Sequence, residues 1–327
     1  MNKPQKAAAL IDYISMQIAA GLYPEGSKLP SVRRLAGKFG LCYGTALRGI
    51  EFLVTNGALI KKGNGFFIAS LPEETCRYKR ISVFLNPYVL EQSMGMVHTA
   101  FIQMQEMAKE VNWHFAVFPV AGYEISEKLI LEKSKGSHGI VLFSEYDTYM
   151  KSLNTPLPVV GSLIHHSFNG KLSTVNLDPV SAARQAVDFF LKKKIYQVAV
   201  ATATAPVYIW RGDVFESMFR RAGGAVKWYY GWENEWIPAK GEGILFTSDF
   251  LAEIQILKME KQGVDLTAYP ILSMDGKRFL MPAFHQFPTI ACDWTQIGQT
   301  LFQELANQLR YPAYASRHIY LEGKLIP

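Results

Sequence analysis

Hydrophobic and polar positions along the chain form two kinds of pattern, with the change near residue 80. Before it, apolar residues recur at helical spacing. Leu10, Ile11, Ile14 and Ile18 mark one face of a helix predicted over residues 7–20. Val32, Leu35, Ala36 and Phe39 mark a second, started by Pro30-Ser31 and stopped by Gly40. Ser31 can cap free backbone N–H groups, and glycine accepts the left-handed conformation just past a helix end. A third runs from about Tyr43 to Asn56, with Ala46, Ile50, Leu53 and Val54 inward and Gly57 ending it. Two short strands follow, Ala58–Lys62 and Phe66–Ala69, with Asn64-Gly65 suited to a two-residue hairpin turn between them. Two apolar-faced helices joined by a short glycine-containing turn are a helix-turn-helix arrangement.

Beyond residue 80, short apolar strands alternate with helical patterns. Strands are expected at Ile81–Leu85, Phe115–Val120, Gly139–Phe143, Leu157–Gly161, Gln197–Ala201, Val226–Tyr230, Gly243–Thr247 and Tyr269–Met274. A long helix capped by Ser93 carries Met94, Val97, Phe101, Met104, Met107 and Ala108. Further helices are expected at Ile125–Lys135, Pro179–Lys193, Val214–Arg221, after Thr247 to about Gln262, and at Trp294–Leu309. Such alternation implies parallel sheets covered on both faces. The stretch is long for one sheet and fits two successive lobes better. The polar run SLPEETCRYKR, with Pro72 and no clear period, reads as a linker. The expected organisation is an α/β protein with a DNA-binding domain at 1–70, a linker at 71–79 and a two-lobed domain at 80–327.

Charge sharpens this division. Residues 1–80 hold 12 Lys+Arg against 5 Asp+Glu, a net of +7. The whole chain nets +6, so the remainder carries −1. The positive excess therefore sits on the segment with the helix-turn-helix pattern, as contact with phosphates requires. A chain of 327 residues that is 49% hydrophobic can build real cores. Cys42, Cys76 and Cys292 are widely spaced, with no CxxC pair, so neither a zinc ribbon nor a disulfide framework is indicated and a reducing cytoplasm fits. No run of about 18 apolar residues suggests a membrane span. Asp12 and Gln17 interrupt any signal-peptide core. His165-His166 would chelate poorly as neighbours on a strand, because adjacent side chains point to opposite faces, and no metal is expected. No GxSxG, P-loop or HExxH motif marks an enzyme.

Residues 21–66 resemble the winged helix-turn-helix of the GntR family of bacterial transcription regulators. The matching pieces are Gly21-Leu22-Tyr23-Pro24-Glu25-Gly26, Leu29-Pro30-Ser31, Arg33, Leu35-Ala36, Phe39-Gly40, Thr45, Gly57 and Gly63-Asn64-Gly65-Phe66. The specificity lies in their order and spacing. In the resembling family the second helix of the motif enters the major groove and the wing reaches toward the minor groove. That resemblance places Tyr43, Thr45, Leu47 and Arg48 near bases and Arg33 near phosphate or base. It sets Lys61 and Lys62 on phosphates, with Ser31 and the wing tip Gly63, Asn64 and Gly65 as further contacts. Arginine offers a planar fork that suits guanine, whereas lysine serves phosphate as a point charge. Tyr43 and Leu47 stand where many members carry arginine. Leu47 has two readings, a thymine-methyl contact or a core leucine. Arg34 and Lys38 read as solvated surface.

Residues from about Arg80 onward resemble the effector-binding core of the LacI/periplasmic-binding-protein family. The ordered fragments are Val175-Asn176-Leu177-Asp178, Gln197-Val198-Ala199-Val200, Arg211 before Phe215 and Ala222-Gly223, Thr247-Ser248-Asp249, Met274-Asp275, Pro288-Thr289-Ile290, Asp293-Trp294 and Gly298. A GntR-type head on such a body is the architecture of sugar-responsive repressors of the arabinose-regulator kind. Ligands of two-lobed sheets sit at the carboxyl ends of the strands, which selects Asn86, Glu145, Asp147, Arg211, Ser248 and Asp275. By the resemblance, Arg211 and Asp275 hold ligand hydroxyls and Trp294 flanks the ligand; Trp210 is a second aromatic candidate. Asp178 and Asp249 are expected as helix caps. GWENEWIPAKGE, before the strand at Gly243, is too short and broken for the helix that the family has there. The implied function is a cytoplasmic, non-enzymatic repressor of carbohydrate-utilisation genes. It would bind operator DNA as a homodimer, respond to a small sugar-like effector, and need no cofactor. A non-sugar effector, or a pyridoxal-phosphate enzyme-like body, is the alternative.

Overall fold

In the computed structural model, residues 5–19, 22–24, 26–55, 58–63, 65–69, 78–87, 96–166, 168, 172–231, 236–276, 287–311 and 314–327 are described. The chain forms two compact units. One comprises residues 1–79 with 110–113 and 303–315; the other comprises 80–109, 114–302 and 316–327. The first thus takes in two segments beyond the boundary drawn from sequence.

The first unit packs three helices, α1 (Ala8–Ala19), α2 (Val32–Lys38) and α3 (Tyr43–Thr55), with an antiparallel hairpin of β1 (Leu59–Lys62) and β2 (Gly65–Ile68). Leu10, Ile14, Leu35, Ala46, Ile50, Leu53, Leu59 and Ile68 form its core, joined by Tyr311. Burying a side chain such as Leu10 or Ile50 contributes about 1.5–3 kcal/mol, so the apolar stripes read from sequence carry this small unit. Ser31 caps α2 by accepting the Arg34 N–H at 3.3 Å. Past α2, Gly40 has a φ of 60° and the Leu41 N–H returns to the Ala36 carbonyl at 2.9 Å. The hairpin turn lies one residue earlier than expected. Lys62 pairs with Gly65, so Gly65 belongs to the strand and not to the turn. The cause is Gly63, whose φ of 55° supplies the left-handed turn conformation. The expected stops and caps at Gly57 and Ser93 lie outside the described residues.

The second unit holds two six-stranded sheets. The first contains β3 (Lys79–Leu85), β4 (Trp113–Pro119), β5 (Gly139–Phe143), β6 (Val159–Ser162), β7 (Leu172–Leu177) and β13 (His318–Leu321), in the order β13-β7-β6-β5-β3-β4. The second contains β8 (Gln197–Thr202), β9 (Ala225–Tyr230), β10 (Gly243–Phe246), β11 (Ile271–Asp275), β12 (Thr289–Ala291) and β14 (Lys324–Ile326), in the order β14-β12-β11-β10-β8-β9. The connecting helices are α4 (Met96–Glu110), α5 (Glu127–Lys133), α6 (Pro179–Lys192), α7 (Pro206–Arg221), α8 (Asp249–Lys261) and α9 (Trp294–Arg310). Parallel pairing joins β3, β5, β6, β7 and β13 in the first sheet and β9, β8, β10, β11 and β12 in the second, where β14 runs antiparallel to β12 at the edge. All five residues of β5 are buried, as a central strand covered on both faces demands.

Several boundaries differ from the expected ones for identifiable reasons. Helix α7 begins at Pro206, eight residues before Val214, with proline in its first turn and no side-chain cap to announce it. Strand β7 is masked in the sequence by Ser173, Thr174 and Asn176, all buried. Asn176 resolves its polarity by accepting the Leu163 N–H and donating to the Ile164 carbonyl, both at 2.8 Å. In the shortened connection before β10, Trp236 stacks on Tyr229 at 4.2 Å and approaches Phe246, so one indole covers apolar surface of the sheet. His165 and His166 lie beyond the end of β6 and not on a strand, with their rings 5.1 Å apart. Among the described residues no group of three or more His, Cys, Asp or Glu could hold a metal, and no helix is long and apolar enough to cross a membrane.

Candidate functional site

In the first unit, the proposed contact residues are largely presented to solvent. Ser31, Arg33, Tyr43, Arg48, Lys61, Lys62 and Gly63 are exposed, and Tyr43 is 51% accessible at the first position of α3. Arg48 stays on the helix surface, its Nε donating to the Gly44 carbonyl at 3.3 Å. Thr45 is half-buried and its hydroxyl lies 3.1 Å from Cys42 Sγ, a contact that lowers the thiol pKa. Cys42 is an exposed residue beside the contact set that sequence reasoning passed over. Leu47 is half-buried and packs on the core, which favours its packing reading. Lys38 places its ammonium 3.7 Å from the Tyr13 ring centre. Gly65 is half-buried, and a Cβ there would meet Lys28 and Phe67 at 3.1 Å. Asn64 lies outside the described residues.

In the second unit, topology itself places a crevice. The chain leaves β3 for β4 on one side and reaches β5 on the other; β8 is flanked in the same way by β9 and β10. Such reversals open clefts at the carboxyl ends of the strands. A cleft of about 470 Å³ lies there, within the roughly 300–1,000 Å³ usual for small-molecule sites. From the first sheet it is lined by Asn86, which follows β3, and by Glu145 and Thr148, which follow β5, with Met96, Tyr123, Tyr149 and Leu163. From the second sheet come Thr204 and Ala205 after β8, Ser248 after β10, Tyr208 on α7, and Phe250, Leu251 and Ile254 on α8. Gly122 also lines it, and a Cβ there would lie 2.4 Å from the Tyr149 ring, so a side chain would push that ring aside.

The lining thus includes Asn86, Glu145 and Ser248 from the expected ligand set, and it does not include Asp147, Arg211, Asp275 or Trp294. Asp147 is fully buried and its Oδ2 accepts the N–H groups of His165 and His166 at 2.8 and 3.0 Å. It fixes the loop after β6. Arg211 and Asp275 pair with each other, Nη1 to Oδ1 at 2.8 Å, at 1% and 0% exposure. The same Nη1 donates to the Thr247 carbonyl at 2.8 Å. Burial pushes the Asp275 carboxyl up, against the pull of Arg211. Asp275 also has a φ of 115°, unusual for a side-chain-bearing residue. Trp294 is buried and donates its indole N–H to the Asp275 carbonyl at 3.0 Å. Trp210 packs between His165 and Tyr320, with ring centres at 4.5 and 5.4 Å.

Asp178 caps α6, accepting the Val180 N–H at 3.0 Å. Asp249 is not a cap: Ser248 holds that position on α8, and the buried Asp249 carboxylate accepts the hydroxyls of Ser273 and Thr289. The partner the sequence did not single out is Tyr208. Its hydroxyl donates to Glu145 Oε1 at 2.5 Å, joining the two sides of the crevice, while Ser144 donates to Oε2 at 2.9 Å. Burial and the neighbouring Glu145 raise the Tyr208 pKa well above the ordinary phenol value, so it stays a donor.

No protein-family model matches the chain, and no curated protein matches it. Solved structures do. The transcription regulator CcpA of Lactococcus lactis superposes with a TM-score of 0.63 at 16% identity, over 77% of this chain and 98% of that one. A periplasmic binding protein/LacI transcriptional regulator from Alkaliphilus metalliredigens, complexed with D-xylulofuranose, gives 0.61 at 18% identity, over 76% and 97%. The trehalose repressor from Escherichia coli gives 0.59 at 14% identity, over 76% and 99%. About three-quarters of the chain therefore has the α/β fold of LacI-type regulators and periplasmic binding proteins.

Proposed function

We propose that this chain is a ligand-responsive, DNA-binding transcription regulator: a GntR-type winged helix-turn-helix on a LacI-type effector domain, working as a repressor of carbohydrate-utilisation genes. The supporting observation is a pairing. The exposed face of α3 and the hairpin lie in the segment that holds the chain's positive excess, and a body of LacI-type fold contains a polar-and-aromatic crevice at its strand ends. The domain division is 1–70 for DNA binding, 71–79 as linker, and 80–327 for effector binding and homodimer formation. Tyr43, Thr45 and Arg48 read bases. Arg33, Ser31, Lys61, Lys62, Gly63, Asn64 and Gly65 hold the backbone. Leu47 supports α3 from beneath. The body performs no catalysis and needs no cofactor or metal. A sugar-like effector fits because solved neighbours include a D-xylulofuranose complex and a trehalose repressor.

Effector acts by population shift: it must bind one arrangement of the two lobes more tightly than the other to change operator affinity. Selecting duplexes from a random pool with the full chain tests the DNA-binding half. A two-fold site with half-sites about one helical turn apart is expected. Recovery of no preferred sequence contradicts it. Adding mono- and disaccharides to the selected complex tests the second half, with a change in affinity expected for at least one.

A further inference from the structure

The crevice has a sign. Among the described residues that line it, Glu145 is the one charged side chain, and no lysine, arginine or histidine faces it. Its two oxygens accept hydroxyls from Tyr208 and Ser144, which satisfy geometry but not charge. Behind the lining stand two more carboxylates, Asp147 and Asp275, both fully buried. Arg211 is committed to Asp275. Among the described residues Asp147 takes backbone N–H groups on Oδ2 and its buried Oδ1 has no hydrogen-bond partner, whereas the Asp275 carboxyl is also approached by the Ser248 side chain. Glu145 thus lines the cleft with only neutral donors, and behind it two buried carboxylates stand against one guanidinium. Neutral donors leave that imbalance in place, and low local dielectric strengthens it. The rim adds two tyrosine rings, Tyr123 at 70% and Tyr149 at 56% accessible, whose faces attract cations and cover apolar ring faces.

We propose that the crevice takes a cationic, amine-bearing effector, an amino sugar, whose ammonium group sits on Glu145 beside the Tyr208 hydroxyl. The proposal rests on the sugar-effector reading above and narrows it. It predicts weaker binding of phosphorylated sugars, because a phosphate placed in this cleft meets Glu145 with no cation among the described lining residues. Tyr123 and Tyr149 hold the body of the ligand, and Glu145 reads its charge.

The test is calorimetric titration of the full chain with matched ligands: glucosamine, galactosamine and mannosamine, their N-acetyl forms, the parent hexoses, and the hexose 6-phosphates. At least one amino sugar should bind tenfold or more tightly than both its N-acetyl and its hydroxyl counterpart, and the phosphates should bind more weakly than that amino sugar. Glu145→Gln should erase that margin. The comparison among ligands on the unmodified chain stands even where a variant fails to fold. Binding of a neutral or phosphorylated sugar as tight as its amino form, together with a change in operator affinity, overturns the charge proposal and leaves the sugar reading standing. Binding of none of them overturns both.

Discussion

In the first unit Arg33, Arg48, Lys61 and Lys62 all stand in solvent, whereas in the second Arg211 and Asp275 are withdrawn from it together. Exposed charge is weakly coupled to stability and projects a field over several ångströms of solvent, which suits a partner that is itself a line of phosphates. Buried charge is costly unless paired, and its removal is felt by the fold. One chain thus uses basic residues as an adjustable surface at one end and a guanidinium as a fixed strut at the other. The strut also braces the unusual backbone at Asp275, whose carbonyl receives the Trp294 indole.

Substitutions can break this contrast directly. Arg211→Ala strands the Asp275 carboxylate and should cost about 3–5 kcal/mol in chemical denaturation. Arg211→Met with Asp275→Leu should recover much of that loss. If Arg211→Ala is neutral, the buried pair is not the strut described. At the other end, Lys61→Ala with Lys62→Ala should weaken operator binding nearly uniformly across sequences. It should also lower the log–log salt slope by about 1 for each phosphate no longer neutralised. Its stability should stay within about 0.5 kcal/mol of the parent. An unchanged slope would remove the hairpin from the DNA interface.

Two smaller effects sharpen the comparison. Ser31→Ala removes the cap on α2 and should cost about 1 kcal/mol by thermal melting, with Ser31→Asp recovering most of it. His165 supplies the pH arm. Burial, then the charge of His166 and of His318, hold its imidazole below the ordinary value, against the pull of Asp147. For a base lowered on folding, the stabilising contribution is complete above the unfolded value of about 6.5. It is lost as pH falls from there through the lower folded value. His165→Gln should therefore flatten the acid side of the stability profile over that window. A parallel profile in the variant would show that another group governs it.

Much of the fold was legible because it is local. Ser31 and Gly40 set the ends of α2 as capping chemistry dictates, and β5 was readable as an uninterrupted apolar run. The contact set on α3 and the hairpin came from the resemblance to the GntR-type head, and periodicity supplied only the helix and strands that carry it. The crevice was legible only in part. Asn86, Glu145 and Ser248 were found because they follow strands at the topological reversals. Position after a strand does not reveal where a side chain turns, so Asp147 and Asp275 looked alike in sequence yet are turned inward onto backbone N–H groups and onto Arg211. Tyr208 escaped notice because its helix starts without a side-chain cap and its partner is 63 residues away. Asp249 resembled a cap because it opens a helix, but the hydroxyls that claim it, Ser273 and Thr289, come from two other strands.

On the proposed function, occupancy of the crevice changes the affinity of the first unit for DNA. Fluorescence-anisotropy titration of the full chain on its selected duplex, with and without the ligand that binds the body most tightly, tests it most directly. The account predicts a shift in operator Kd of about fivefold or more, equivalent to about 1 kcal/mol of coupling, and its disappearance in Glu145→Gln. An operator Kd that stays the same while the ligand is shown to saturate the chain would contradict it.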